Sequence, residues 1–291
     1  MTKLKAVKPK VAEPKKPKIL IYGKPAVGKT WASLDFPATY YIDTEGGANL
    51  SHYTDKLEKS GGVYMGPEQG ALDFETIIEQ VKALATEKHN YKTLVIDSIS
   101  KLFNTAISEE NERLGDKDQF GASKKKPVAY MRRLVNWLSR IDMNVILVSH
   151  ETSEWDMVNG ERQQVGSTFD CWDKLEYELD LALNIIKVGP QRKAKIRKSR
   201  LDAFEDAAIF DWSYEEFAKL YGQDVIDRDS EAIVLATKEQ LEALQSLLEK
   251  VKLPDGQEKK WLKAANVDSW DEMTSERIDN AITHIKTKYL S

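Results

Sequence analysis

A single cysteine, Cys171, occurs among 291 residues. One thiol excludes an intramolecular disulfide framework and any cysteine-cluster zinc site, and it fits a reducing cytoplasm. No motif around it supports a nucleophile, so it reads as a structural thiol. Long apolar runs are also missing: none approaches the roughly 18 residues of a membrane span, and the lysine-rich N-terminus leads into no hydrophobic segment. The expectation is a cytoplasmic protein without a membrane partner. Net charge is scarce too, 43 basic residues against 47 acidic ones giving −4. A chain so balanced does not coat nucleic acid indiscriminately, and any nucleic-acid site has to be local. There is no internal repeat. What the composition does supply is 41% hydrophobic residues, enough to bury a full α/β core and leave a small second module.

The informative stretch is Lys18 to Thr30, KILIYGKPAVGKT. Gly23, Gly28, Lys29 and Thr30 meet the pattern G-x-x-x-x-G-K-[ST], between the apolar strand Ile19 to Tyr22 and a helical WASLDF run. Glycines at 23 and 28 let the backbone turn tightly and aim successive amides inward, which makes a concavity for phosphate. The cradle predicted to bind nucleotide is Gly23, Lys24, Pro25, Ala26, Val27, Gly28, Lys29, Thr30 and Trp31. Lys29 would place a point charge on the β and γ phosphates, Thr30 would offer its hydroxyl to Mg2+, and the helix N-terminus would add its positive end.

Downstream, TYYID (39–43) reads as a second strand delivering a carboxylate to the turn Thr44-Glu45-Gly46-Gly47. Phe74, Ile77, Ile78, Val81, Leu84 and Ala85 follow helical spacing. Thr93 to Ile96 is a short apolar strand that lifts Asp97 toward the metal side of the phosphate loop, as a nucleotide-bound Mg2+ needs. A helix opened by Pro127 and carrying Val128, Met131, Leu134, Val135, Leu138 and Ile141 precedes the strand Asn144 to Ser149, which ends at His150. Alternating strands and helices predict a mainly parallel sheet in a three-layer α/β fold, with the ligand at the strands' carboxyl ends. Asp43, Glu45, Asp97 and His150 all fall there. His150 reads either as a γ-phosphate sensor or as a polar strand cap.

The polar stretches 104–126 and 151–173 read as long loops, functional by their length. Leu179 to Val188 and Lys193 to Arg200 read as a hairpin about residues 189–192, its second arm the basic KAKIRKSR. Ser213 with Glu216 caps a last core helix that stops at Gly222. The expected domains are a disordered basic tail at 1–17, an ATPase core at 18–230 and a small helical domain at 237–291. That last domain is marked by the Thr237 and Gln240 capping box and by Ile278, Ile282, Ile285 and Tyr289. The tail, with seven lysines against one glutamate through residue 18, is either solvated or rests on a phosphate backbone.

This order resembles the RecA-type ATPase core, and within it the phage nucleotide-binding proteins of the RecA-like single-strand-annealing group, over about residues 18 to 222. GKPAVGKT corresponds to Walker A and TLVIDS to the Walker B strand. YIDTEGG matches the Asp-x-Glu setting in which the family places its catalytic glutamate, which maps onto Glu45. VSHE stands where recombinases carry a glutamine that couples nucleotide state to a DNA loop, and here the residue is His150. KIRKSR resembles the family's Lys-x-Lys or Lys-x-Arg element, so Lys198 and Arg200 would complete a neighbouring subunit's site. The resemblance implies ATP and Mg2+ as cofactors, single-stranded DNA as partner, homo-oligomers with sites at subunit interfaces, and other recombination proteins meeting the C-terminal helices. It also implies the host cytoplasm for a phage-encoded chain. Two other classes stay open beside this ATPase: a nucleotide-gated interaction module with little turnover, and a P-loop small-molecule kinase.

Overall fold

A computed structural model describes Ala6, Lys8 and residues 14–48, 50–119, 121–251 and 253–290. The tail expected at 1–17 lies largely outside these residues, but its last part is a correction. Residues 14–17 are seated on the core: Val145 N donates to the Pro17 carbonyl, and the Lys16 side chain is buried with its ammonium on the Arg228 carbonyl. Lys16 is therefore not a free tail cation.

The core strands are β1 (Lys18–Gly23), β2 (Thr39–Asp43), β3 (Val63–Met65), β4 (Thr93–Asp97), β5 (Asn144–Val158), β6 (Glu161–Phe169), β7 (Leu181–Val188), β8 (Gln191–Ser199) and β9 (Ile209–Asp211). Their order is β3-β2-β4-β5-β1-β7-β8-β9, with β6 paired to β5 alone. From β3 to β7 all neighbours run parallel. Near-continuous burial of KILIYG, TLVID and NVILVS reflects a sheet covered on both faces, as parallel sheets require.

Helices α1 (Lys29–Ser33) and α2 (Ser51–Lys59) follow β1 and β2; α3 (Phe74–Thr86), α4 (Ile99–Leu114), α5 (Lys125–Arg140) and the short α6 (Leu175–Glu178) come next. The core closes with α7 (Tyr214–Tyr221) and α8 (Gln223–Asp227). One face buries Leu20, Ile42, Ile96 and Leu147 under Ile77, Phe103 and Leu134 of α3, α4 and α5. The other buries Ile21, Tyr41, Val95 and Val148 with Ala32 and Phe217 of α1 and α7. The fold is therefore a three-layer α/β P-loop core. A separate cluster of Leu244, Val267, Met273, Ile278 and Ile285 unites α9 (Lys238–Lys250), α10 (Gln257–Ala265) and α11 (Ser275–Tyr289). This helical module touches the core through Arg140, which donates to the Glu272 carbonyl, and through Lys82 and Asp271.

The two long polar stretches are only partly loops. Residues 104–114 continue α4, whose N-cap Ser98 accepts from Lys101 N and whose Ile99, Leu102 and Phe103 face the core; its polar residues are a solvent face, and two short 3-10 turns, Gly115–Lys117 and Ala122–Lys124, lie between it and the next helix. The next helix begins at Lys125, so Pro127 sits within its first turn. Residues 151–173 hold the outer half of β5 and all of β6, paired antiparallel about Asn159 and Gly160, which have φ of 54° and 85°. Positive φ at both positions is the type I′ geometry that matches strand twist. The β7–β8 turn is likewise tighter than expected, Val188 pairing with Gln191, and β8 lies between β7 and β9 rather than at an edge. The WASLDF helix shortens to α1, ending at Ser33. Among the described residues no helix is long and apolar enough to cross a membrane.

At the sheet end where β1 begins, Lys18 is enclosed, its Nζ donating to the carbonyls of Ile141 at 2.8 Å and Met143. Burial lowers its pKa from 10.5 to about 7. Between those values the unfolded chain holds a proton that the folded chain does not, so stability rises with pH. Cys171, raised by burial above its ordinary 9.0, acts in the opposite sense only at higher pH. The urea midpoint is thus expected to climb from pH 7 to pH 9, with a shallower climb in Lys18→Met. A midpoint that is flat or falling across this range would contradict the assignment.

Candidate nucleotide site

The order β2-β4-β5-β1 brings the carboxyl ends of β2, β4 and β1 beside His150, the point where β5 leaves the parallel sheet and continues into the arm. Gly23 starts the loop because a Cβ there would strike the Ile185 carbonyl of β7; Gly28 has φ 90°. Lys29 is half-buried, and its ammonium donates to the carbonyls of Gly23 at 2.7 Å and Lys24 at 3.0 Å. Desolvation lowers its pKa, opposed by the charges of Asp97, Glu45 and Glu151.

Thr30 Oγ1 donates to Asp97 Oδ2 at 2.6 Å, and Tyr41 OH donates to the same oxygen at 2.5 Å. Burial raises the Asp97 pKa against these two donors, and the Tyr41 phenol is held well above its ordinary value by burial and by that carboxylate. A buried carboxylate beside a hydroxyl is a hard-oxygen pair that suits Mg2+ completed by phosphate oxygens and water. Among the described residues no three His, Cys, Asp or Glu side chains gather to hold a metal alone.

Glu45 stands in a loop shaped by Asp43, whose carboxylate accepts from the amides of Glu45, Gly46 and Ala48 and from Tyr64 OH. Three amide donors fix the turn, and with it the direction of the next side chain. Glu45 Oε1 accepts from Ser98 Oγ at 2.6 Å and lies 2.5 Å from His150 Nε2. Thr44 Oγ1 locks the same corner, accepting from Ser98 N and donating to Ser98 O. His150 is thus a partner of Glu45 and caps no strand, since β5 runs on to Val158; its amide is held by Ser100 Oγ at 2.8 Å.

Trp31 follows Thr30 and is 40% exposed, with Lys56 Nζ 3.8 Å from its ring centroid. Lys198 and Arg200 are placed elsewhere. Arg200 lies beyond the end of β8, so the two do not share one strand face, and they hold the carbonyls of Leu179 and Tyr177. Arg200 N bonds Asp180 O, and Asp180 N bonds Lys18 O, which puts the pair toward the opposite end of the sheet from its own phosphate loop.

Sequence reasoning missed the bracing roles of Asp43, Ser98 and Tyr41, and it missed two arginines. Arg197 binds Glu154 and Glu176, each at 2.8 Å, and ties the base of the β5–β6 arm to the core. Arg192 lies over Gly28: a Cβ built there would fall on its Nε and Cδ. The overlooked signal for the arm was the dipeptide Asn159-Gly160. A cleft of about 890 Å³ separates Lys24 and Pro25 from Glu151, Ser153, Gln164 and Gly166 at the arm's base.

Residues 15–204 match a family model described as AAA domain, AAA_24. Among solved structures, a RadB recombinase aligns with 18% identity and a TM-score of 0.44, covering 66% of this chain and 84% of that one. A prototypical ATPase from the type III secretion system of pathogenic bacteria aligns with 15% identity and a TM-score of 0.37, covering 93% and 81%. No curated protein sequence matches the chain.

Proposed function

The chain belongs to this AAA-domain family, and from that premise we propose that it binds and hydrolyses ATP with Mg2+, as a RecA-like protein acting on single-stranded DNA in phage recombination or annealing. The observation that carries the ATPase reading is the convergence of Lys29, the Thr30–Asp97 pair and Glu45 at adjacent strand ends. Phosphoryl transfer needs charge neutralisation, a metal ligand and a group that orients water, and these residues are of the types required. Glu45 would take the water's proton, and His150 would hold Glu45 in position. The kinase reading loses ground, since what borders the site is a β arm flanking an open cleft.

The DNA reading draws on that arm. β5 passes directly from His150, beside Glu45, into a hairpin whose Trp155 is 50% exposed with the Arg162 guanidinium 5.4 Å from its ring centroid. An exposed aromatic next to a cation can stack a base and meet a phosphate. Met157 and Val165, also exposed on the arm, favour the alternative of a nucleotide-gated protein contact. Oligomers would place sites at subunit interfaces, and any contribution of Lys198 and Arg200 to turnover would be made to a neighbour. Fluorescence anisotropy with labelled oligo(dT) at low salt separates the readings. Binding is expected to weaken steeply as salt rises and to fall about tenfold in Trp155→Ala, given the usual worth of a stacked base. Absence of binding with or without ATP would leave the protein-contact reading in its place.

A further inference from the structure

We infer that Arg192 contacts the phosphates of nucleotide bound in its own subunit, a reading that rests on the ATP site proposed above. Three observations converge on it. The first is position. Arg192 is the second residue of β8, paired with Lys187 at the tip of the β7–β8 hairpin, and β7 is the strand beside β1. The parallel register of β1 and β7 carries that tip to the sheet end where the phosphate loop begins. The second is contact. The Arg192 side chain covers the Cα of Gly28, occupying the space a Cβ would need, so Gly28 is required for this approach as well as for its own φ of 90°. The third is that the charge is uncommitted. Among the described residues the guanidinium has no carboxylate or hydrogen-bond partner, whereas Lys193 pairs with Asp211 and Arg197 with Glu154 and Glu176 on the same strand.

A guanidinium laid on the backbone of a phosphate loop, with its fork of donors unspent, is suited to an anion of several oxygens. Its main chain is fixed, since Trp212 N donates to the Arg192 carbonyl, while its side chain is exposed and can turn toward a ligand. Lys198 and Arg200 cannot do this within their own subunit, being engaged farther down the sheet. A second cation that meets the nucleotide in cis, beside Lys29, is therefore carried by the hairpin tip.

The test is titration of wild type, Arg192→Ala, Arg192→Lys and Lys195→Ala with a fluorescent ATP analogue and with its diphosphate counterpart, in Mg2+. Lys195 is exposed on the same strand and serves as the control. Arg192→Ala is expected to weaken triphosphate binding about tenfold to hundredfold, as for a lost charge-assisted hydrogen bond. Lysine should restore part of it, and Lys195→Ala should bind as wild type. Thermal melts of all four check folding. Arg192→Ala binding as tightly as wild type would overturn the assignment. So would recovery of ATPase on mixing Arg192→Ala with Lys29→Ala subunits, because recovery requires the arginine to act across an interface. A wild-type chain that binds neither nucleotide would instead refute the ATP site itself.

Discussion

Glu45→Gln is expected to cut ATP turnover by about 10²- to 10⁴-fold, the usual worth of a general base, while nucleotide affinity stays near the wild-type value. The amide keeps the size and the oxygen that accepts from Ser98 Oγ, so the corner built by Thr44, Ser98 and Asp43 survives. What is lost is the capacity to take a proton. Because the loop is anchored by Asp43 through three backbone amides, the substitution should not displace neighbouring groups. The defect is then confined to chemistry. Single-turnover hydrolysis beside a binding titration resolves the two quantities. Wild-type turnover in Glu45→Gln would remove Glu45 from the role of base.

Lys29→Ala should strike binding rather than chemistry, because it removes much of the affinity on which turnover depends. The ammonium sits among the carbonyls of Gly23 and Lys24 and near the carboxylates of Asp97, Glu45 and Glu151. With the lysine removed, those acceptors present an uncompensated negative surface to a polyanion. Loss of the charge-assisted bond alone predicts affinity weaker by about tenfold to hundredfold, and repulsion from the three carboxylates adds to it. Calorimetry with ATP and Mg2+ should show no saturable heat in the variant. Saturable binding at wild-type affinity would mean that the nucleotide lies elsewhere.

The residues of the candidate site stood out in the sequence because a phosphate loop and its strands impose local rules. The pattern Gly23 to Thr30, the apolar run ending in Asp97, and the acidic turn at Glu45 each state their chemistry within a few positions. Their mutual contacts were not legible. That Thr30 meets Asp97 and Glu45 meets His150 depends on β5 and β4 lying in a particular order beside β1, a property of crossovers and not of spacing. Residues 104–114 read as loop because Glu109 to Arg113 are all polar, four of the five charged, and hide the stripe of Ile99, Leu102 and Phe103 that begins before them. The arm at 151–169 was obscured by its solvation: both faces are wet over much of its length, so no period-two burial marks the strands, and only Asn159-Gly160 announced the turn. Arg192 could not be found from spacing, since its approach to Gly28 requires the β7–β8 register. Lys198 and Arg200 stood out for matching a motif, yet the turn after Ser199 takes Arg200 off the strand.

Steady-state release of inorganic phosphate from ATP, with and without single-stranded DNA, tests the central claim most directly. The account predicts Mg2+-dependent turnover that rises when DNA is added and disappears in Glu45→Gln and Lys29→Ala. No phosphate release above the Lys29→Ala background, in the presence of Mg2+ and DNA, would contradict it.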